Sequence, residues 1–132
     1  MFIDSVVWIG AKLKRDQWHD KSRAVIQRFL NREIKMAYVN DYVVLETVNF
    51  LLRKAGFTVA LETLKLFRTH ERIRIVNVDS QMFKNTCEVF VKYPGLSITD
   101  ASIVATMQSL GIHSLYSFDY GFDKVEWIDR LI

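Results

Sequence analysis

Short apolar runs alternate along this chain with longer amphipathic stretches, and that alternation predicts an α/β fold, a three-layer α/β/α domain around a central, mainly parallel sheet. Two further observations support it. Cap and turn residues stand at almost every junction between the runs, as they do where strands and helices hand over to one another. Acids also close several apolar runs: Asp4 follows Met1-Phe2-Ile3 and Asp119 follows Leu115-Tyr116-Ser117-Phe118. In open parallel sheets, ligands bind beyond the carboxyl ends of the strands.

In chain order, residues 1–4 read as the first strand. Asp4-Ser5 offers a cap for a brief helix through Trp8 and Ile9, which Gly10 is expected to end. Beyond the polar stretch 12–20, Ala24, Val25, Phe29 and Leu30 recur at helical spacing, with Lys21, Arg23, Arg28 and Arg32 on the other side, so an amphipathic surface helix is expected. Residues 35–39 suit a second strand. Asn40-Asp41 caps a long helix running through Lys54, with Gly56 as its stop. Another helix follows from about Thr58 to Thr69. Residues 73–78 have strand composition, and Asp79 or Ser80 caps a helix whose apolar face is Met82, Phe83, Cys87, Phe90 and Val91. Pro94-Gly95 closes that unit. A helix over 97–110, ended by Gly111, leads to a strand at 114–118, and a last short strand is expected around 125–128.

A chain of 132 residues suits a single domain spanning 1–132, long enough to bury a core. Its 50% hydrophobic and 25% charged content is globular, and the 13% aromatic share leaves some surplus for a partner surface. Trp8, Trp18, Phe50, Phe67 and Phe90 are nonetheless expected in the core. No apolar stretch approaches the ~18 residues of a membrane helix, and the N-terminus lacks the pattern of a signal peptide, so a cytoplasmic protein without membrane association is expected. Cys87, the only cysteine, reads as a small core residue. His19, His70 and His113 are scattered among polar neighbours and give no support to a His-based triad or zinc site. Charge is uneven: residues 1–92 hold 16 Lys/Arg against 10 Asp/Glu, while residues 93–132 hold 2 against 5. A basic body with an acid-rich end suits a metal site among phosphate-binding side chains, and solvated helix faces produce the same tally.

The acids carry the chemistry. Asp4, Glu46, Asp100 and Asp119 all stand against apolar runs, where burial is expected, and a buried carboxylate costs several kcal/mol without a counter-charge. Strand ends and helix starts lie near the same sheet edge, so all four can converge there. Clustered carboxylates are stable together only when protonated or bridged by cations, and hard Mg²⁺ or Mn²⁺ favours such oxygen ligands. Ordinary alternatives exist for each. Ser97-Ile98-Thr99-Asp100 matches a capping box, Asp4 suits a helix cap, and Asp119 begins a turn at Asp119-Tyr120-Gly121. Glu46 is the hardest to dismiss, since Tyr42, Val43 and Phe50 are its helical neighbours and put it on or beside the buried face. Ser5, Thr99 and Asp123 are auxiliary candidates, each with a cap or turn alternative. The glycines are isolated and form no phosphate-binding loop, which disfavours nucleoside triphosphates and dinucleotides.

Four blocks in order, Phe2-Ile3-Asp4-Ser5, Asn40-Asp41-Tyr42-Val43-Val44-Leu45-Glu46-Thr47, Leu96-Ser97-Ile98-Thr99-Asp100-Ala101 and Ser117-Phe118-Asp119-Tyr120-Gly121-Phe122, together resemble PIN domains, particularly VapC-type toxins. The resemblance spans essentially the whole chain. It implies a PIN-like α/β fold, metal-dependent ribonuclease activity, acidic site residues at Asp4, Glu46, Asp100 and Asp119, and the family's usual Ser/Thr at Thr99. It also implies a homodimer and a VapB-type antitoxin whose segment occupies the active-site groove. Tyr120 and Gly121 differ from the basic residue or His that many relatives carry there.

The expected function is therefore cleavage of RNA phosphodiesters with Mg²⁺ or Mn²⁺ held by Asp4, Asp100 and Asp119, with Glu46 completing the site directly or through water. Lys12, Arg15 and Arg53 are candidates to hold the RNA backbone. Two alternatives share the fold: a housekeeping PIN nuclease in RNA processing or surveillance, and a non-catalytic RNA- or protein-binding module. A phosphatase or signalling receiver is disfavoured, because Asp4 is followed by Ser5-Val6 rather than a second acid.

Overall fold

A computed structural model describes residues 1–132 as one five-stranded sheet flanked by helices. The strands are β1 (Phe2–Ile3), β2 (Ala37–Asn40), β3 (Ile73–Val76), β4 (Ser114–Tyr116) and β5 (Asp129–Leu131). Their order is β3-β2-β1-β4-β5, and every pairing is parallel. Between them lie α1 (Ser5–Lys12), α2 (His19–Leu30), α3 (Asp41–Ala55), α4 (Phe57–Thr69), α5 (Ser80–Lys92) and α6 (Ile98–Leu110), with a short 3₁₀ helix at Tyr120–Lys124 before β5.

Helices α1 to α4 pack among themselves and α5 pairs with α6. The chain winds outward from β1 to β3 and then returns to β4 on the other side of β1. Crossovers of one hand put the helices of the return trip on the opposite face, which makes three layers. The same reversal opens a crevice beyond the carboxyl ends of β1 and β4, where neighbouring connections leave in opposite directions. Phe2, Ile3, Val39, Val43, Ile103, Met107, Leu115 and Phe122 are all but inaccessible and fill the space around the central strands. No helix is long and apolar enough to cross a membrane.

Local chemistry explains the junctions. Asn40 accepts from the backbone N–H of Val43, Asp79 from that of Met82 and Ser97 from that of Asp100, so three helices begin on side-chain caps. Gly56, at φ 95°, and Gly111, at φ 66°, end α3 and α6 in the left-handed region that other residues avoid.

Four expectations are corrected. Gly10 does not end α1, because its missing Cβ is needed inside the helix: a Cβ there would meet Ser22 Oγ of α2 at 2.4 Å. On α2, Val25 and Phe29 are buried but Ala24 and Leu30 are exposed, and Ser22 takes the inner position beside Gly10. On α5 the buried residues are Thr86 and Val89, whereas Phe83, Cys87, Phe90 and Val91 face outward, so neither Cys87 nor Phe90 is a core residue. The last strand begins at Asp129, not Val125. Val125 and Ile128 are buried, but turn hydrogen bonds from Val125 N to Phe122 O and from Ile128 N to Val125 O hold them. Apolar burial there reflects a coiled approach to the edge strand rather than strand pairing.

Candidate functional site

Asp4 is the residue that β1 delivers directly into the crevice. Its backbone N–H donates to Tyr116 O on β4, at 3.0 Å, and the residue is only 3% exposed. Both carboxylate oxygens are engaged. Oδ1 accepts from Ser5 N at 2.7 Å and from Ser5 Oγ at 3.3 Å, and Oδ2 accepts from Ser117 Oγ at 2.7 Å. Burial nevertheless outweighs these bonds and raises the Asp4 pKa to about 6. Ser117 stands where β4 leaves the sheet, and its hydroxyl also accepts from Asp119 N at 3.1 Å, so one side chain fixes two of the acids.

Asp100 lies in the first turn of α6, half-buried, and its backbone N–H is capped by Ser97 Oγ at 3.0 Å. The capping alternative is thus correct for the backbone, and the carboxyl lies within reach of both the Ser97 hydroxyl and the charges of the other acids. Burial first, then the negative charges of Asp4 and Asp119, with Glu46 last, raise its pKa to about 7. Asp119 is exposed and caps the 3₁₀ helix, its Oδ1 accepting from Gly121 N at 2.8 Å. Glu46 is exposed as a residue and lies beside the buried face of α3, with Ser5, Val6, Ile9, Gln17 and Trp18 around a cleft of about 250 Å³. Crowding by these neighbours raises its pKa, and the Ser5 hydroxyl offsets part of that rise.

The expectation of four buried acids is therefore corrected to a gradient, from buried Asp4 through half-buried Asp100 to exposed Glu46 and Asp119. Asp4, Asp119 and Glu46 all lie within electrostatic reach of Asp100, but no three of the four close into a ready-made metal cage. No Lys or Arg pairs with any of them, since the ion pairs of the molecule are Arg28–Glu33 and Arg130–Asp123. An all-oxygen donor set in which the Asp4, Glu46 and Asp100 pKa values are raised, and in which no member is ion-paired with Lys or Arg, fits a hard divalent cation.

Asp123, an auxiliary candidate with a turn alternative, is engaged by a basic side chain. Arg130 holds it with two hydrogen bonds, Nε to Oδ1 at 2.8 Å and Nη2 to Oδ2 at 3.1 Å, while Nη1 donates to Ser117 O at 3.1 Å. The pair braces the segment carrying Asp119 against β5. Ser5 lies at the site and Thr99 is half-buried one residue before Asp100.

Sequence reasoning missed three contributors. Ser117 was hidden inside an apolar run as an ordinary strand residue, and its isolation between Tyr116 and Phe118 was the available signal. Asn40 is fully buried, caps α3, and donates from Nδ2 to Ser102 Oγ and Thr106 Oγ1 of α6, each at 3.1 Å, so it ties the helix of Glu46 to that of Asp100. Phe50, expected in the core, is half-buried on the wall of the cleft beside Glu46.

The PIN domain family model matches residues 1–128. No curated protein matches the sequence. Among solved structures, the chain resembles Mycobacterium tuberculosis VapC20, a Sarcin-Ricin loop cleaving toxin, with TM-score 0.83 and 22% identity over 96% of this chain and 95% of that one. It also resembles a toxin-antitoxin complex from Klebsiella pneumoniae, with TM-score 0.72 and 13% identity over 97% of this chain and 94% of that one. At these identities the structural likeness concerns the fold.

Proposed function

From the premise that this chain belongs to the PIN domain family, we propose that it is a divalent-metal-dependent endoribonuclease and the toxin of a type II toxin–antitoxin pair. The observation that supports this reading is the set of carboxylates about the β1–β4 reversal, where Asp4, Asp119 and Glu46 all act on Asp100 and none of the four is ion-paired with a Lys or Arg.

Asp4, Asp100 and Asp119 would hold Mg²⁺ or Mn²⁺, with Glu46 completing the set from the cleft side. When bound, the ion supplies Lewis acidity, making water more acidic and offsetting charge on phosphate oxygens. Asp4 acts as the rigid anchor, because Ser5 and Ser117 fix both its oxygens. Asp119 has one oxygen committed to Gly121 and the other outside any hydrogen bond, so it suits a ligand at the solvent side. Asn40 keeps α3 and α6 in register and thereby sets the spacing of Glu46 and Asp100. Ser5 and Thr99 orient groups at the edge, and single-stranded RNA, with its bases accessible, is the substrate the open crevice suits best.

Protein partners are supported by uncovered apolar stripes: Phe83, Cys87, Phe90 and Val91 on α5, and Leu45, Leu52 and Phe57 along α3 and α4. Surfaces of this kind mark association sites, and a second copy of the chain and a VapB-type antitoxin are the partners proposed. The fold and the resemblance to toxins favour a cytoplasmic site of action.

The decisive experiment incubates purified protein and its Asp100→Asn variant with cellular RNA and maps the new ends by sequencing. Cleavage with Mn²⁺ or Mg²⁺, lost in EDTA and lowered about 100-fold or more in the variant, is the expected result. Equal cleavage by both proteins rejects the assignment of the site.

A further inference from the structure

The cleft beside Glu46 does not stop there. Asp16 and Phe50 wall it on one side and, on the other, wall a second hollow of about 360 Å³ completed by Leu13, Lys14, Arg15 and Lys54. That volume lies near the lower end of the range for small-ligand pockets, roughly 300–1,000 Å³. Its chemistry is the reverse of the crevice. Lys14, Arg15 and Lys54 are exposed cations, and neither they nor the adjacent Arg53 form an ion pair. The one acid in the wall is occupied, since Asp16 Oδ1 accepts from Trp18 N at 2.8 Å and holds the α1–α2 turn in place. Phe50 supplies an aromatic surface, with the Arg53 guanidinium 5.9 Å from its ring centroid.

A groove that is acidic at one end and basic and aromatic at the other suits a single-stranded polyanion. The acids repel its backbone unless a cation intervenes, whereas the basic end attracts it without help, and an aromatic face accepts any base by stacking. We propose that the Phe50 hollow is a nucleotide subsite of the RNA strand flanking the scissile phosphate, with a base against Phe50 and the backbone held by Lys14, Arg15 and Lys54. This inference rests on the ribonuclease reading, and it names the direction in which the substrate leaves the carboxylates.

The test measures binding of a short fluorescein-labelled single-stranded RNA of mixed sequence to the full chain by anisotropy, in EDTA so that the strand stays intact. Phe50→Leu is expected to weaken binding about tenfold, and Phe50→Tyr to retain it, because stacking is what the position supplies. The triple variant Lys14→Gln, Arg15→Gln, Lys54→Gln is expected to bind more weakly and to flatten the dependence of log affinity on log salt by about 2. Those three side chains are exposed, so the triple variant decides the matter even where Phe50→Leu disturbs packing. If both variants bind as wild type does, with the same salt slope, the subsite is overturned while the ribonuclease reading stands. Should the wild-type protein neither bind this RNA nor cut it with Mn²⁺ present, both fall. Unchanged RNA binding together with lost retention of a co-expressed antitoxin assigns the hollow to a protein segment and likewise overturns the subsite.

Discussion

Asn40 shows how much one residue can organise. It is fully buried, and each of its polar groups is used: Oδ1 accepts from Val43 N, while Nδ2 donates to Ser102 and Thr106. Ser102 Oγ in turn donates to Thr99 O, and Thr106 Oγ1 donates to Ser102 O, so the network is closed. A closed buried network stabilises, but deleting one member leaves the others unpaired in low dielectric. Asn40→Ala is accordingly expected to cost about 2–4 kcal/mol in chemical denaturation, well above a helix cap alone. A loss under about 1 kcal/mol means the network does not carry that weight. Asn40 was legible in the sequence only as a cap, because its partners lie more than sixty residues away in the chain. Asp4 differs: its place after an apolar run at a strand end already marked it, and only the identity of Ser117 as its partner required the fold.

At the scale of elements, α1 and α2 meet through a glycine that the sequence presented as a helix stop. Gly10 sits within α1, and its carbonyl lies 2.8 Å from His19 Nδ1 on α2. Exchanging a mid-helix glycine for alanine ordinarily stabilises by about 1 kcal/mol. Here the added Cβ would lie 2.4 Å from Ser22 Oγ and 3.1 Å from Ser22 Cβ, so the sign reverses. Gly10→Ala is expected to destabilise by about 1–3 kcal/mol in thermal or denaturant unfolding, with partial recovery when Ser22→Ala is added. A more stable Gly10→Ala protein contradicts the close approach. Helix existence and caps were readable because they depend on neighbours in sequence. The inner faces of α2 and α5, the role of Gly10 and the start of β5 were not, because each is set by the surface packed against it.

Across the whole molecule, the acids tie stability to pH. Asp4 titrates at about 6 and Asp100 at about 7, and Glu46 is raised as well. An acid whose pKa is higher folded than unfolded binds its proton more tightly in the native state, so stability falls as pH rises from the unfolded value through the folded one. Asp123, held low by Arg130, acts only at more acidic pH, and the half-buried N-terminal amine, held low by burial, favours the folded state as pH rises toward its ordinary value of 8.0. The metal-free protein should therefore lose melting temperature between about pH 4 and pH 7. Calorimetry in EDTA at points across that window checks this, with Asp100→Asn expected to flatten the curve. Millimolar Mn²⁺ should restore stability progressively at the basic end, where protons no longer compete for the carboxylates. A melting temperature that rises steadily across the window in EDTA contradicts the shared environment of the acids. What the sequence by itself determined was the alternation of strands and helices, their parallel class, their caps and the four acids, since periodicity, cap chemistry and an acid after an apolar run are local patterns. What only the tertiary structure decided was the strand order that puts the β1–β4 reversal beside Asp4, the graded burial of the acids, the clasp of Asp123 by Arg130 and the groove running on to Phe50. Those depend on which distant surfaces meet, and burial, electrostatic field and cavity shape are properties of the meeting rather than of any one segment.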